Sequence, residues 1–301
     1  LGVIATLVKS DLSIPESTSK FISLYLLFSI GFKGGQELSH SGITREILLT
    51  LVLSISLACL VPVYTFFILK KKLSVSDAGA IAATYGSVSA VTFIAAASFL
   101  EASNISYGGH MVAAMALMEA PAIIIGVVLM RKYDKEQNQK KGIGNIMHES
   151  FTNGSVLMIL GSLVIGIIAD TKQAEGIKPF TSDIFKGFLA VFLLEMGMLA
   201  ARRFKAFRNY GLFVTLFALL IPPINGCLTV FITHFFDIAA GNRFMLSILA
   251  ASASYIAVPA AMRLAAPKAD PGLYIPMALG VTFPFNITVG IPLYWELIQL
   301  F

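Results

Sequence analysis

Long apolar runs separated by short polar patches dominate the chain. Windows free of Asp, Glu, Lys and Arg recur at 47–69, 78–100, 150–169, 209–236, 244–262 and 271–295. Two further apolar windows are interrupted, 102–130 by Glu119 and 183–201 by Lys186 and Glu195. Each is close to the roughly 20 residues that a bilayer-crossing helix needs. With a shorter run at 20–36 they predict nine spans. Residues 1–8 are apolar but too few to cross, and they read as the end of a truncated first helix, for ten helices in all.

Composition narrows the class. Charged residues make up 13% of 301 and apolar residues 56%, with a mean hydropathy of +0.81. A soluble domain carries about 25% charged residues. A soluble enzyme, a disordered chain and a disulfide scaffold are therefore excluded. Two cysteines, Cys59 and Cys227, both in apolar runs, build no framework. The net charge of +5 suggests nucleic acid until the charges are placed along the spans. Sixteen of the 22 Lys and Arg then fall on one face, including the 131–149 loop, and six on the other. Cytoplasmic loops carry that excess. The basic character is topological, with no nucleic-acid partner. The pattern predicts a multi-pass protein of a bacterial inner (plasma) membrane with both termini outside.

Five helices on each side of the central loop predict two halves of opposite orientation, 1–130 and 150–301, joined by 131–149. Such inverted repeats are known in secondary transporters. A search for internal similarity pairs 82–88 with 250–256 at an offset of 168, both in the fourth helix of their half. Pro62 answers Pro222 and Pro223 in the third helices, and Met115-Ala116-Leu117 answers Met277-Ala278-Leu279 in the fifth. The expected fold is an all-α integral membrane protein, a ten-helix 5+5 inverted repeat with two crossing discontinuous helices.

The paired fourth helices carry unusual polarity for membrane spans. Gly86, Ser87, Val88, Ser89 and Thr92 lie mid-span in one, and Ser252, Ser254, Tyr255, Ala257 and Pro259 in the other. Backbone breaks at membrane depth are tolerated only against protein or a water-filled cavity. Two broken helices crossing there point half-helix N-termini at a shared cavity, which suits a small anion. Hydroxyls add donors, and freed carbonyls, including the one Pro259 releases, suit sodium. Small residues also serve simply to pack helices, so the coincidence of the two segments carries the reading.

Ionisable groups inside spans are functional by default. Glu119, two residues before Pro121, is the candidate to hold a coupling cation or a proton. Asn286, after Pro284 in the matching helix, is a candidate neutral ligand. Glu195 packs or functions with equal weight, and Lys33, beside Gly34-Gly35, is expected to snorkel to the interface. The four His have no metal spacing, and a phosphate-cradling Gly-Lys loop and a catalytic triad are both missing. The expectation is no enzyme, no cofactor, and no metal beyond sodium as a coupling ion.

Further segments carry a family likeness. Ile14-Pro15-Glu16-Ser17, Gly31-Phe32-Lys33-Gly34-Gly35, Ile105-Ser106-Tyr107, Met196-Gly197-Met198 and Gly290-Ile291-Pro292-Leu293-Tyr294 run the length of the chain. In these the chain resembles the sodium-dependent bicarbonate transporter family of cyanobacteria, as a divergent branch. The resemblance implies a core and a gate domain, a homo-oligomer, in that family a trimer, and sodium–bicarbonate symport, with substrate between the crossing breaks. It also implies a PII-like regulatory partner on the cytoplasmic face. The chain departs from the family where an Asp is expected, at Tyr255, and where a Gly is expected, at Val258. Glu119 matches a family carboxylate in the fifth helix. Three functions compete: a sodium-coupled symporter for bicarbonate or a similar small anion, a cation–proton antiporter, and a non-transporting membrane receptor or scaffold.

Overall fold

A computed structural model describes residues 1–41, 44–133, 148, 152, 154–207 and 211–300. The expected central loop, 131–149, lies mostly outside these residues. The described residues form helices and no strand. Helix α1 (Gly2–Leu7) is followed by α2 (Glu16–Ser41), α3 (Arg45–Leu69), α4 (Val75–Gly86), α5 (Ala90–Ala102) and α6 (His110–Tyr133). Next come α7 (Gly154–Ile168), α8 (Thr171–Lys178), α9 (Phe185–Phe207), α10 (Leu212–His234), α11 (Ala240–Ala251) and α12 (Ala257–Ala265). The last helix, α13 (Pro271–Leu300), includes the π-helical stretches Met277–Thr282 and Asn286–Gly290.

Among the described residues, six helical stretches are long and apolar enough to cross a membrane: Arg45–Leu69, Val75–Ala102, His110–Tyr133, Thr171–Arg202, Leu212–His234 and Pro271–Leu300. Three of the nine expected spans fall short of that length or apolarity, for identifiable reasons. Lys33, Gln36 and Glu37 interrupt the apolar run of α2. The apolar part of α7, Val156–Ile168, is short. The window 244–262 is divided between α11 and α12, of 12 and 9 residues.

Local sequence explains the helix starts. Thr44 accepts the Ile47 N–H ahead of α3, and Ser74 accepts the Asp77 N–H ahead of α4. Asp170 and Gln173 form a reciprocal capping box on α8. Asp270 caps α13, with Pro271 in the first position, where a missing N–H costs nothing.

Small residues set the packing. A Cβ on Gly31 would lie 1.9 Å from Ser162 Oγ, and one on Gly35 would lie 2.1 Å from the Leu163 carbonyl oxygen. Glycines four apart therefore bring the α2 backbone directly onto α7. In the same manner α1 packs on α9, where a Cβ on Gly2 would meet the Leu194 carbonyl. Thus α2 pairs with α7 and α1 with α9. These four helices stand beside a group in which α3, α4 and α6 pack together and α11 packs on α5, α10 and α13.

Candidate functional site

Both expected breaks are present. Helices α4 and α11 each have 12 residues, and their starts and ends both lie 165 positions apart. They leave the helix in the same way, Ser87 at φ −86° and ψ −179°, Ser252 at φ −85° and ψ 171°. The register is thus 165 rather than 168, and Ser87-Val88-Ser89 stands against Ser252-Ala253-Ser254. The alanine-rich flanks align almost as well three residues away, which hid the paired serines.

The breaks are hydrogen-bonded to one another. The Ser89 N–H donates to Ser252 Oγ at 3.0 Å, and the Ser254 N–H donates to the Thr84 carbonyl at 2.8 Å. Ser252 Oγ in turn donates to the Leu249 carbonyl at 2.9 Å. The second serine of each break serves the half-helix that follows. Ser89 Oγ accepts the Thr92 N–H at 3.2 Å, and Ser254 Oγ accepts the Val258 N–H at 3.4 Å.

A second matched pair fixes the other ends. Asp77, third residue of α4, accepts the Asp270 N–H through Oδ1 at 2.8 Å. Asn242, third residue of α11, accepts the Gly108 N–H through Oδ1 at 2.6 Å. These residues are again 165 apart, and each ties the start of a broken helix to the segment that enters α13 or α6. The sequence reading missed both, because an Asp or Asn at a helix start looks like an ordinary cap.

A small cavity of about 30 Å³ lies at the crossing. It is lined by Val88, Ser89 and Ala90 of the first break, Ser254, Tyr255 and Ile256 of the second, and Met115, Ala116 and Glu119 of α6. Leu27 of α2 and Ile159 of α7 close it from the other group of helices. Glu119 is the one charged residue on its wall, and its carboxylate makes no hydrogen bond or ion pair among the described residues. The Tyr255 hydroxyl donates to Met196 Sδ at 3.8 Å. Its ring makes an edge contact with Phe283 at 6.1 Å.

Of the sequence candidates, Val88, Ser89, Ser254, Tyr255 and Glu119 meet at this cavity. Ser87, Thr92, Ser252 and Ala257 are buried beside it. The Oγ atoms of Ser87 and Thr84 are buried without a partner. Three candidates take other positions. Gly86 faces α3, where a Cβ would lie 2.2 Å from Pro62 Cγ, so the close approach it permits is by Pro62. Pro259 is the third residue of α12, in the first turn, so it begins a helix instead of breaking one. Asn286 is fully buried in α13, where its Nδ2 donates to the Ala251 carbonyl at 2.8 Å and closes the end of α11. Leu27, Met115, Ala116 and Ile159 were missed, since apolar residues at helical spacing carry no signal of a site.

Helices α5 and α12 both begin at the cavity, through Ala90 and Ile256. Their N-terminal partial charges favour an anion. Glu119 and nearby hydroxyl oxygens are hard ligands of the type sodium takes. No group of three His, Cys, Asp or Glu suited to a metal ion occurs among the described residues. A water needs about 10–15 Å³, so the cavity holds at most two or three water-sized occupants. Residues 1–299 match the family model described as the Na+-dependent bicarbonate transporter superfamily. No curated protein matches the chain.

Proposed function

The chain belongs to the Na+-dependent bicarbonate transporter superfamily, and we propose that it carries bicarbonate, or a similar small anion, together with sodium by alternating access. The observation that carries this reading is the cavity at the crossing breaks, where two helix N-termini meet a single unpartnered carboxylate. The N-termini and the break hydroxyls hold the anion, and Glu119 with neighbouring oxygens holds the cation. Neutralising each other, the two ions enter a low-dielectric site together more readily than either does alone. Tyr255 stands where the family carboxylate is expected, so the cation charge is met from α6 instead.

A ten-helix inverted repeat is part of the same proposal. Its support is the shared 165 offset, the matching exit angles at Ser87 and Ser252, and the equivalent ties made by Asp77 and Asn242. Alternating access then follows from motion of the group holding α1, α2, α7 and α9 against the group holding the breaks, since each contributes part of the cavity wall. A cation–proton antiporter uses the same carboxylate and is the second reading.

Purified protein in liposomes, given labelled bicarbonate with and without an inward sodium gradient, separates the two. Uptake that follows the sodium gradient supports symport. Sodium flux driven by a proton gradient, with no bicarbonate uptake, supports the antiporter.

A further inference from the structure

A second cavity lies between α2, α5 and the 103–109 connection, with a volume of about 260 Å³. Lys33 and Glu37 of α2, Ser98 and Glu101 of α5, Tyr107 and Phe185 contribute to its wall. The two cavities share their helices. Leu27 and Ala90 line the first, and Lys33 and Ala97 line the second. At 1.5 Å per residue, Leu27 and Lys33 are about 9 Å apart along α2. The larger cavity therefore stands in succession to the smaller one.

Lys33, which the sequence expects to snorkel, lies on the wall of this cavity. It is half-buried on the cavity wall, with Nζ 5.2 Å from the centre of the Phe185 ring. It forms no ion pair with a described carboxylate. An aromatic face holds an ammonium without neutralising it. Glu101 is exposed, so its carboxylate sits toward water and the ammonium deeper. Ser98 Oγ is buried with no partner. Burial, with Glu37 and then Glu101 nearby, pushes the Tyr107 phenol up, so it stays protonated and available as a donor.

We propose that this cavity is an entry site where a small oxyanion binds Lys33 before reaching the crossing breaks. This rests on the anion-transport reading. The ammonium supplies the charge, and the Ser98 and Tyr107 hydroxyls supply donors. Glu37 and Glu101 keep the site from becoming a trap, since a site on a pathway must release what it binds.

The test is bicarbonate uptake kinetics in proteoliposomes. Lys33→Met keeps an apolar stem and removes the charge. It should raise KM about threefold to tenfold with kcat within about twofold, the mark of lost binding rather than lost chemistry. Lys33→Arg should restore most of the affinity. Glu101→Gln, on an exposed residue, should lower KM about twofold, the opposite direction, which a packing defect does not produce. Unchanged KM in Lys33→Met, or a shift in the same direction for both variants, overturns the proposal. If the wild type carries no bicarbonate, the transport reading fails and the entry site is read separately. Ser106→Cys, on the cavity wall, is placed in a background lacking Cys59 and Cys227 and labelled with anionic and neutral thiosulfonates. Lys33→Met should then slow only the anionic reagent, by about threefold or more. Equal slowing of both, or none, overturns the entry site.

Discussion

At the scale of residues, Glu119 and Asn286 look alike in the sequence and part company in the structure. Both are polar positions near a proline in a long apolar helix. Glu119 is on the cavity wall with no partner, whereas Asn286 is occupied with the Ala251 carbonyl and the Tyr294 hydroxyl. Glu119→Gln should keep folded protein and lose the sodium dependence of uptake, measured as rate against sodium concentration. The expected loss in sodium affinity is roughly tenfold or more, the worth of a contact to a charged group. In the wild type, protons and sodium compete for one carboxylate, so apparent sodium affinity should fall as pH is lowered, and that slope should vanish in the variant. An unchanged sodium dependence would move the cation site to break carbonyls. Asn286→Ala should act on stability instead, lowering the melting temperature by the cost of an unsatisfied buried carbonyl, about 1–3 kcal/mol. Which residue faces the cavity was not legible because a helix position one or two residues away points elsewhere, and no charge pattern marks the difference.

The broken helices were legible as elements because polar residues inside a long apolar run have few structural explanations at membrane depth. The mechanism of each break was not. Gly86 and Pro259 are the residues that sequence reasoning credits with breaking a helix, yet one accommodates Pro62 and the other starts α12. Serine side chains make the break by capping the following half and bonding across to the other break. Ser89→Ala should therefore cost about 1 kcal/mol of stability, as a lost N-cap does, and also weaken uptake through the lost cavity hydroxyl. Gly86→Leu is expected to perturb α3 packing and is no probe of the substrate. Helix pairing depends on glycine in a different way. Gly35→Val drives a side chain into the α7 backbone, and size-exclusion profiles of detergent-purified protein should show loss of the folded species. Gly161→Ala, where a Cβ meets nothing within 4 Å, should leave the profile unchanged.

For the whole molecule, charge distribution and hydropathy are enough to reach a multi-pass membrane protein, but the way the two groups of helices share one cavity is a tertiary property. Apolar residues at helical spacing predict burial and say nothing about which neighbour buries them. Ile159 comes from the α2–α7 pair and Ala116 from the group holding the breaks, and both line the 30 Å³ cavity. That space is small for a four-heavy-atom anion with its cation, so loading requires the two groups to part. A covalent tie between them should then stop transport without harming either group. The variant carries Ile159→Cys and Ala116→Cys in a background where Cys59 and Cys227 are serine. It should take up bicarbonate when reduced and lose nearly all uptake when a short thiol crosslinker joins the pair, with recovery on reduction. Each single-cysteine variant, treated alike, should keep most of its activity. Full uptake by a completely crosslinked protein would show that the anion crosses without relative motion of the two groups, and the cavity would then have to open within the group holding the breaks.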